Sequence, residues 1–466
     1  MSGPDAFDVI VLGAGPAGAR AALAAASQGL KVILIDEQAA AGGQVWRKPW
    51  NPGANADKTS PGDQLRAALA ASSVQCAFGH RVWSIASGFH VDAVGPDGAT
   101  AFSAAQLIAA SGAHERIIPF KGWTLPGVMG LAAATVLLKA ENRLPGQRVV
   151  VAGRGPLLAA VAAGVIAKGG EVAAVIDRTP LSGWLKSLPA LATQPRLLAE
   201  GAGWLLQVIG RRVPWLFGCH VSAARGENSL ETVDVARLGV SETRRSIACD
   251  ALVAGDGLVP GAEAPRLLKA PMRFDRLRGG WVPIVSADFE SGLPGLFCAG
   301  DGAGVRGAVL AGLSGEIAGL CAAAKAGRSL DPARFARIRS QWNRAARFSD
   351  AIAGMLSGRP ADIAGIAPDT VICRCEDVTC GEIDAAIAAG AVEISQLKHF
   401  TRCGMGPCQG RMCGDVVQEL MAERCGKSRE AVGSWTARPP LRPVLLGDLV
   451  GAFTYADIPV PEPAPL

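Results

Sequence analysis

The chain has 466 residues, 49% of them hydrophobic and 19% charged, enough for two or three domains with large cores. Its 46 lysines and arginines against 41 aspartates and glutamates leave a net charge of +5, which builds no basic stripe and gives no reason to expect a nucleic-acid partner. The N-terminus enters an apolar run without a basic leader, and the longest apolar stretches are broken by charges such as Arg20, Lys139, Arg154 and Lys168, so a cytoplasmic chain with no transmembrane segment is expected.

Residues 9–12 form a short apolar β run, followed by Gly13, Gly15 and Gly18 in GxGxxG spacing. Gly13 allows the tight turn, Gly15 lets a pyrophosphate approach the backbone, and Gly18 lets the helix pack closely on the strand. Pro16 and Ala17 open an alanine-rich helix that ends at Gly29 and aims its positive end at the phosphates. Residues 32–35 make a second strand, and Asp36, with Glu37 beside it, stands where a carboxylate accepts the ribose hydroxyls. Strand, turn, helix, strand and acid together read as a dinucleotide site, which an isolated glycine turn would not.

Gly43 and Gln44 lie in a loop suited to the face of a flavin. Residues 46–63, rich in Pro, Asn and Gly, read as a surface excursion, and 64–72 as a short helix. Residues 74–78, 81–86, 89–93 and 99–104 alternate like a β-meander, and 106–113 read as a buried strand ending on a glycine turn.

From Arg148 the opening pattern returns: strand 149–151, turn Gly153-Arg154-Gly155, helix 157–168, strand 171–176 and Asp177. This is an internal duplication, two nucleotide-type folds in tandem. At the third glycine position stands Leu158, which should hold helix and strand apart and weaken a phosphate site, with Arg154 placed to compensate by pairing with phosphate. A nicotinamide site, another nucleotide site and a purely structural relic stay open for this copy. Residues 180–218 read as helical and apolar, with Trp184, Trp204 and Trp215 serving either the core or a partner surface. A strand at 247–254 runs into Gly255, and one at 295–298 ends on Gly300-Asp301, an aspartate suited to a flavin's ribityl chain. Helix 308–326, an arginine-rich connector helix at 331–357 and a linker at 360–369 complete this part.

Cys76, Cys219, Cys249, Cys298 and Cys321 are scattered singly and read as small core residues, whereas seven cysteines crowd between Cys373 and Cys425. A C-x-C pair with a distant C-x4-C, and no CxxC anywhere, favours a [2Fe-2S] cluster over zinc or a redox dithiol. Its expected ligands are Cys373, Cys375, Cys408 and Cys413, with Cys403 competing for one place and Cys380 and Cys425 structural. No residue stands out as an acid, base or nucleophile, and His114, beside Glu115 and Arg116, reads as structural.

The opening fingerprint, Ser111-Gly-Ala-His-Glu-Arg116, Gly122-Trp-Thr-Leu-Pro-Gly-Val128 and Cys298-Ala-Gly-Asp301 resemble, over nearly the whole chain, the larger, α-type subunits of opine oxidases, of D-hydroxyproline and proline dehydrogenases, and the middle subunit of hydrogen cyanide synthase. Cys373-Arg-Cys375 with Gly404-Met-Gly-Pro-Cys408-Gln-Gly410 resembles the bacterioferritin-associated-ferredoxin (BFD) type of [2Fe-2S] domain, in which the position of Cys403 is often another residue. The resemblance implies an α/β fold: two Rossmann-like dinucleotide-binding domains as in disulfide reductases, without their redox dithiol, plus a small helical BFD-like domain. The expected division is a FAD-binding domain at 1–120 and 248–330, a second nucleotide-type domain at 121–247, a helical connector at 331–368, the iron–sulfur domain at 369–430 and a tail at 431–466. FAD would lie on Gly13, Gly15, Pro16, Ala17, Gly18, Asp36, Glu37, Gly43, Gln44, Ser111, Gly112, Gly300 and Asp301. Ser111 stands where a threonine is usual and keeps the hydroxyl.

Some members carry FMN at the interface between subunits and ATP in the second nucleotide fold, where NAD(P) is the other expectation. The implied partners are an amino-acid-oxidase-like FAD β subunit, joined in many members by a small ferredoxin-like γ subunit. The expected function is electron transfer within a hetero-oligomeric dehydrogenase that oxidises the C–N bond of an opine, D-hydroxyproline, proline or a related amino acid on that β subunit, with membrane association only through the electron acceptor. The alternatives are a stand-alone NAD(P)H-dependent flavin reductase, a component of a hydrogen cyanide synthase acting on glycine, and a non-redox scaffold.

Overall fold

The computed structural model describes residues 5–49, 60–239, 243–357, 360–363 and 365–450. Its first α/β unit runs β1 (Asp5–Leu12), α1 (Pro16–Ala26), β2 (Val32–Asp36), α2 (Pro61–Ala70), β3 (Gln75–Phe78), β4 (Arg81–Ala86), β5 (His90–Gly95) and β6 (Gly98–Ala109). The strand order is β3-β2-β1-β6-β5-β4. Val9, Ile10 and Val11 are fully buried, as parallel strands covered on both faces must be. One expectation changes: β3 lies parallel on β2, with Ile33 opposite Gln75, so it extends the nucleotide-type sheet and the meander comprises β4 to β6 alone. Helix α2 supplies the crossover that a parallel pair requires; alternation alone does not distinguish the two pairings. Residues 50–59 of the expected surface excursion lie outside the described residues.

After β7 (Ala113–Glu115) come β8 (Val128–Gly130), α3 (Leu131–Val136), β9 (Arg148–Gly153), α4 (Leu157–Ala167), β10 (Glu171–Asp177), α5 (Leu181–Ala192), α6 (Pro195–Gly210) and β11 (Trp215–Phe217). A three-stranded antiparallel sheet of β12 (Cys219–Arg225), β13 (Thr232–Arg237) and β14 (Thr243–Ala248) leads to β15 (Ala251–Gly255), and the second parallel sheet has the order β11-β10-β9-β15-β8. The 180–218 stretch is therefore not helical throughout: the helix stops at Gly210 and Trp215-Leu-Phe217, aromatic and suited to a strand, pairs with Val175 to Asp177. Strand β15 pairs with β9, so the second sheet keeps the chain as far as Gly255, past the expected boundary at 248. Leu158 is fully buried among Val149, Val151 and Val161.

Strand β16 (Leu258–Pro260) returns to β7, placing Val259 opposite His114. Then follow α7 (Glu263–Leu267), the hairpin β17 (Met272–Asp275) and β18 (Gly280–Pro283), and β19 (Leu296–Cys298), which adds to β6. Helix α8 (Ala308–Lys325) is long and apolar enough to cross a membrane, but 67% of it is buried inside the fold. It lies on α1, where a Cβ at Gly315 would stand 2.0 Å from the Ala17 carbonyl oxygen and one at Gly319 2.2 Å from that of Ala21. The two glycines bring the helices into backbone contact, and α8 is a core helix.

Helix α9 (Pro332–Leu356) leads to the cysteine-rich module: β20 (Val371–Cys373), β21 (Val378–Thr379), α10 (Cys380–Ala388), α11 (Ile394–Thr401) and α12 (Gly414–Arg424). Thr379 and Glu382 close a capping box that starts α10. Ile372, Ile383, Leu397, Val417 and Leu420 form the module's own core.

Candidate flavin, thiol and junction sites

Four segments converge on the N-terminus of α1. Gly13 has φ +96°, and a Cβ there would lie 2.5 Å from the Ala110 carbonyl oxygen; at Gly18 it would lie 1.7 Å from that of Gly13. At Gly15 the nearest atom to such a Cβ is the Gly43 Cα at 3.9 Å, so this face of the turn stays open. Gly43, at φ +56°, folds over Gly15, and Gln44 accepts a hydrogen bond from Arg47. Asp36 accepts from the amides of Ala14 (2.5 Å) and Gln38 (2.7 Å), and burial pushes its carboxyl up. Pro16 and Ala17 form the buried first turn of α1, while Glu37 is exposed.

Ser111 Oγ donates to the Gly261 carbonyl at 2.5 Å, and Gly112 accepts from the Gly261 amide at 2.8 Å. Gly300 sits against Ala17, where a Cβ would come within 2.7 Å of the alanine's own. Asp301 accepts from the Arg306 and Gly307 amides at 2.9 and 3.0 Å, and burial raises its carboxyl. The open glycine, the acid at the end of β2 and the backbone groups of 111–112 and 300–301 fit the diphosphate, ribose and ribityl parts of a flavin dinucleotide.

In the second copy every equivalent feature is taken by the chain itself. A Cβ on Gly155 would stand 2.7 Å from Leu356 Cδ2, and the Leu356 carbonyl lies over Gly257. Arg154 pairs with Asp362 at 2.7 Å, their side chains 2% and 5% exposed. Arg178 reaches Asp256 at 2.9 Å and Asp362 at 3.6 Å. Asp177, the counterpart of Asp36, accepts from the Thr179 amide (2.8 Å) and from the indoles of Trp184 (2.8 Å) and Trp215 (3.4 Å). Trp184 and Trp215, both half-buried, thus satisfy Asp177.

In the cysteine module, the sulfurs of Cys373, Cys403 and Cys413 lie within 4.8 Å of one another, all buried. Cys375 and Cys408 form a less buried pair beside them, and Cys408 also acts on Cys403, so five thiols share one place. The S–H donors Cys403 and Cys413 hold the Cys373 thiol far below the usual range. Of the four thiols expected as ligands, Cys373 and Cys413 lie in the tight group, which Cys403 completes, while Cys375 and Cys408 pair beside it. Cys380 sits apart beside Asp384 and Arg424, and Cys425 beside Ala391. Trp435, which sequence reasoning passed over, lies on this loop: its ring contacts the bare faces of Gly404, Gly410 and Gly414.

The module is fastened to the chain just past β7 and to the start of α7. Arg116 pairs with Asp415 at 2.7 Å, Arg411 with Glu263 at 2.7 Å, and the Trp123 indole donates to the Val371 carbonyl at 2.6 Å. Between module and strand lies a cavity of about 350 Å³ lined by His114, Glu115, Trp123, Met129, Arg374 and Met412, among others. Burial drives Glu115 up to about 7, against the lowering effect of the Ala132 and Leu131 amides. Its oxygens fill the space left by two glycines, where a Cβ would come within 2.0 Å (Gly130) and 2.3 Å (Gly255) of them. Burial lowers His114 and favours its neutral form. Glu115 also escaped the sequence reading, because its neighbours Gly130 and Gly255 are remote in the chain.

Residues 7–327 match the family described as Pyridine nucleotide-disulphide oxidoreductase, and residues 368–452 match the Sarcosine oxidase A3 domain. The opine oxidase A subunit of Agrobacterium tumefaciens (strain Ach5) is 34% identical over 465 residues, spanning 96% of this chain and 92% of that protein. The chain belongs to the family of opine oxidase A subunits. The chain is also 31% identical to the "Hydrogen cyanide synthase subunit HcnB" of Pseudomonas protegens, over 93% of this chain and 96% of that one. An L-proline dehydrogenase from P. horikoshii shares the fold, with a TM-score of 0.70 and 20% identity over 95% of this chain and 79% of that one. Family membership makes this opine oxidase A-type chain a flavin oxidoreductase, as the sequence resemblance implied.

Proposed function

We propose that the chain is the flavin and iron–sulfur electron-transfer subunit of a hetero-oligomeric dehydrogenase. The complex oxidises the C–N bond of an opine, D-hydroxyproline, proline or a related amino acid on a separate amino-acid-oxidase-like FAD β subunit. There the substrate gives up two electrons and its imine product hydrolyses. The observation that carries this reading is the docking of the thiol-bearing module beside the Ser111-Gly112 turn, through Arg116, just past β7, with Asp415, and through Glu263 of α7 with Arg411, while the sulfurs of Cys373, Cys403 and Cys413 lie within 4.8 Å of one another.

Gly13, Gly15, Pro16, Ala17, Gly18, Asp36, Glu37, Gly43, Gln44, Ser111, Gly112, Gly300 and Asp301 would hold FAD, and Cys373, Cys375, Cys408 and Cys413 would hold a [2Fe-2S] cluster; together the two groups would supply a conversion of paired to single electrons. The chemistry of the donor set fits: soft thiols, Cys373 and Cys413 buried and Cys375 and Cys408 half-buried, with Cys403 packed beside Cys373 and Cys413. An interface FMN and a small ferredoxin-like third subunit belong to the same reading. The stand-alone NAD(P)H reductase loses support from Leu356 on Gly155.

The test is anaerobic reduction, followed by absorption spectra, of this chain alone and of the complex with its partner subunits. Octopine, nopaline, hydroxyproline, proline, glycine and NADH are added in turn. Bleaching of flavin and cluster by one amino acid or opine, only in the complex, is the expected result and names the substrate; glycine as that substrate selects the hydrogen cyanide synthase alternative. Bleaching of the isolated chain by NADH overturns the proposal.

A further inference from the structure

From the second nucleotide-type fold we infer that Asp362 is an internal substitute for a nucleotide phosphate, and that Asp362 together with Leu356, the last residue of α9, keeps this fold closed to dinucleotides. The two copies in the chain make the comparison direct. On Gly15 nothing crowds the turn, whereas Leu356 Cδ2 would touch a Cβ on Gly155 at 2.7 Å and so lies where a pyrophosphate has to pass. Arg154, within the glycine turn, is placed to pair with phosphate, but it pairs with the Asp362 carboxylate at 2.7 Å. Arg178, at the end of β10, approaches the other Asp362 oxygen at 3.6 Å. Asp177, which should accept ribose hydroxyls, instead accepts from Trp184 and Trp215.

Leucine, carboxylate and indoles therefore stand in for pyrophosphate, phosphate and ribose. In the buried cluster of Arg154, Arg178, Asp256 and Asp362, the Asp362 carboxylate is the group that both guanidiniums reach. Without that carboxylate Arg154 loses its 2.7 Å ion-pair partner next to a helix N-terminus, the arrangement that binds anions. The ligand such a vacated fold takes is a phosphate or a diphosphate ester, with ADP as the simplest dinucleotide half.

The experiment uses the full chain with FAD bound, so that the first fold is already filled, and ADP and inorganic phosphate as probes. Calorimetric titration of the wild-type chain should show no ADP binding up to millimolar concentration. Asp362→Ala should gain thermal stability from phosphate, and Asp362→Ala/Leu356→Ala, in which the glycine turn is also cleared, should bind ADP at least ten times more tightly than wild type. Both gains should vanish when Arg154→Ala is added. Asp362→Asn, of unchanged shape, gives the same comparison if the alanine variant does not fold. Micromolar ADP binding by the wild-type chain that is lost in Arg154→Ala overturns the inference. So does a folded Asp362 variant with no gain in affinity for either probe.

Discussion

Arg116 and Asp415 meet at 2.7 Å across the junction between β7 and α12, with side chains only 8% and 13% exposed. Arg429 shares the same carboxylate at 2.9 Å. Burial alone would push the Asp415 carboxyl up; the two guanidiniums outweigh it and bring it to about 2.

Asp415→Asn should cost roughly 3–5 kcal/mol at neutral pH, because it leaves buried guanidiniums uncompensated. A carboxyl depressed on folding contributes stability above its unfolded value of 3.8 and loses it as pH falls toward 2. Urea denaturation should therefore show wild type and variant converging below about pH 4. A gap that stays constant down to pH 2 would contradict this role for the pair.

The glycine turn separates folding from flavin binding. Gly15→Ala meets no atom of the chain closer than 3.9 Å, so it should fold with an unchanged circular dichroism spectrum. The added methyl faces the pyrophosphate, and overpacking of roughly 1–3 kcal/mol translates into FAD affinity about ten- to a hundredfold lower. Gly18→Ala drives a methyl into the Gly13 carbonyl at 1.7 Å and should disrupt the fold itself. Flavin retention after gel filtration, measured beside thermal melting, distinguishes the two.

Serine replacement tests the cluster one thiol at a time. Cys375→Ser and Cys408→Ser should lose the visible absorption and the reduced-state paramagnetic signal of a [2Fe-2S] centre, while Cys403→Ser keeps both. Loss in Cys403→Ser with retention in Cys408→Ser would move the fourth ligand to Cys403. Trp435→Ala removes the ring packed on Gly404, Gly410 and Gly414; a buried tryptophan is worth roughly 3–5 kcal/mol, so iron should leave the variant faster under chelator challenge.

Glu115 adds a pH dependence of the opposite sign. Its carboxyl rises from 4.5 to about 7 on folding, so the folded state holds the proton more tightly than the unfolded chain. The stabilisation is present below 4.5 and is lost as pH rises through 7, a change of roughly 3 kcal/mol. In Glu115→Gln this slope should disappear, which denaturation midpoints between pH 5 and 8 will show. An unchanged slope would rule out Glu115 as its source.

Much of this was legible because it is local. Gly13, Gly15, Gly18 and Asp36 lie within one βαβ unit, so spacing alone places them together, and the second copy from Arg148 follows by repetition. The cysteine spacings likewise carry their own geometry. What escaped the sequence depends on distant segments. Leu158 looked like the weak point of the second fold, yet it simply packs in the core, and the turn is covered by Leu356, about 200 residues further on. The pairing of β3 with β2 and of β11 with β10 is decided by neighbouring strands, which alternation within one strand does not reveal. Glu115 and Trp435 owe their surroundings to glycines elsewhere in the chain.

The cysteine module is moored at entry and at exit. The Trp123 indole holds Val371 as the chain goes in, and on the way out the Leu441 amide donates to the Trp83 carbonyl at 2.7 Å, on β4 of the first sheet. Carrier domains on single tethers swing between donor and acceptor, and their turnover slows in glycerol or sucrose. A module tied at both ends has no such arc, so under the proposed electron-transfer role the gap between flavin and cluster would be set by packing and be the same in every cycle. Transfer between the two redox groups should accordingly ignore solvent viscosity, leaving substrate oxidation or the external acceptor to set the pace.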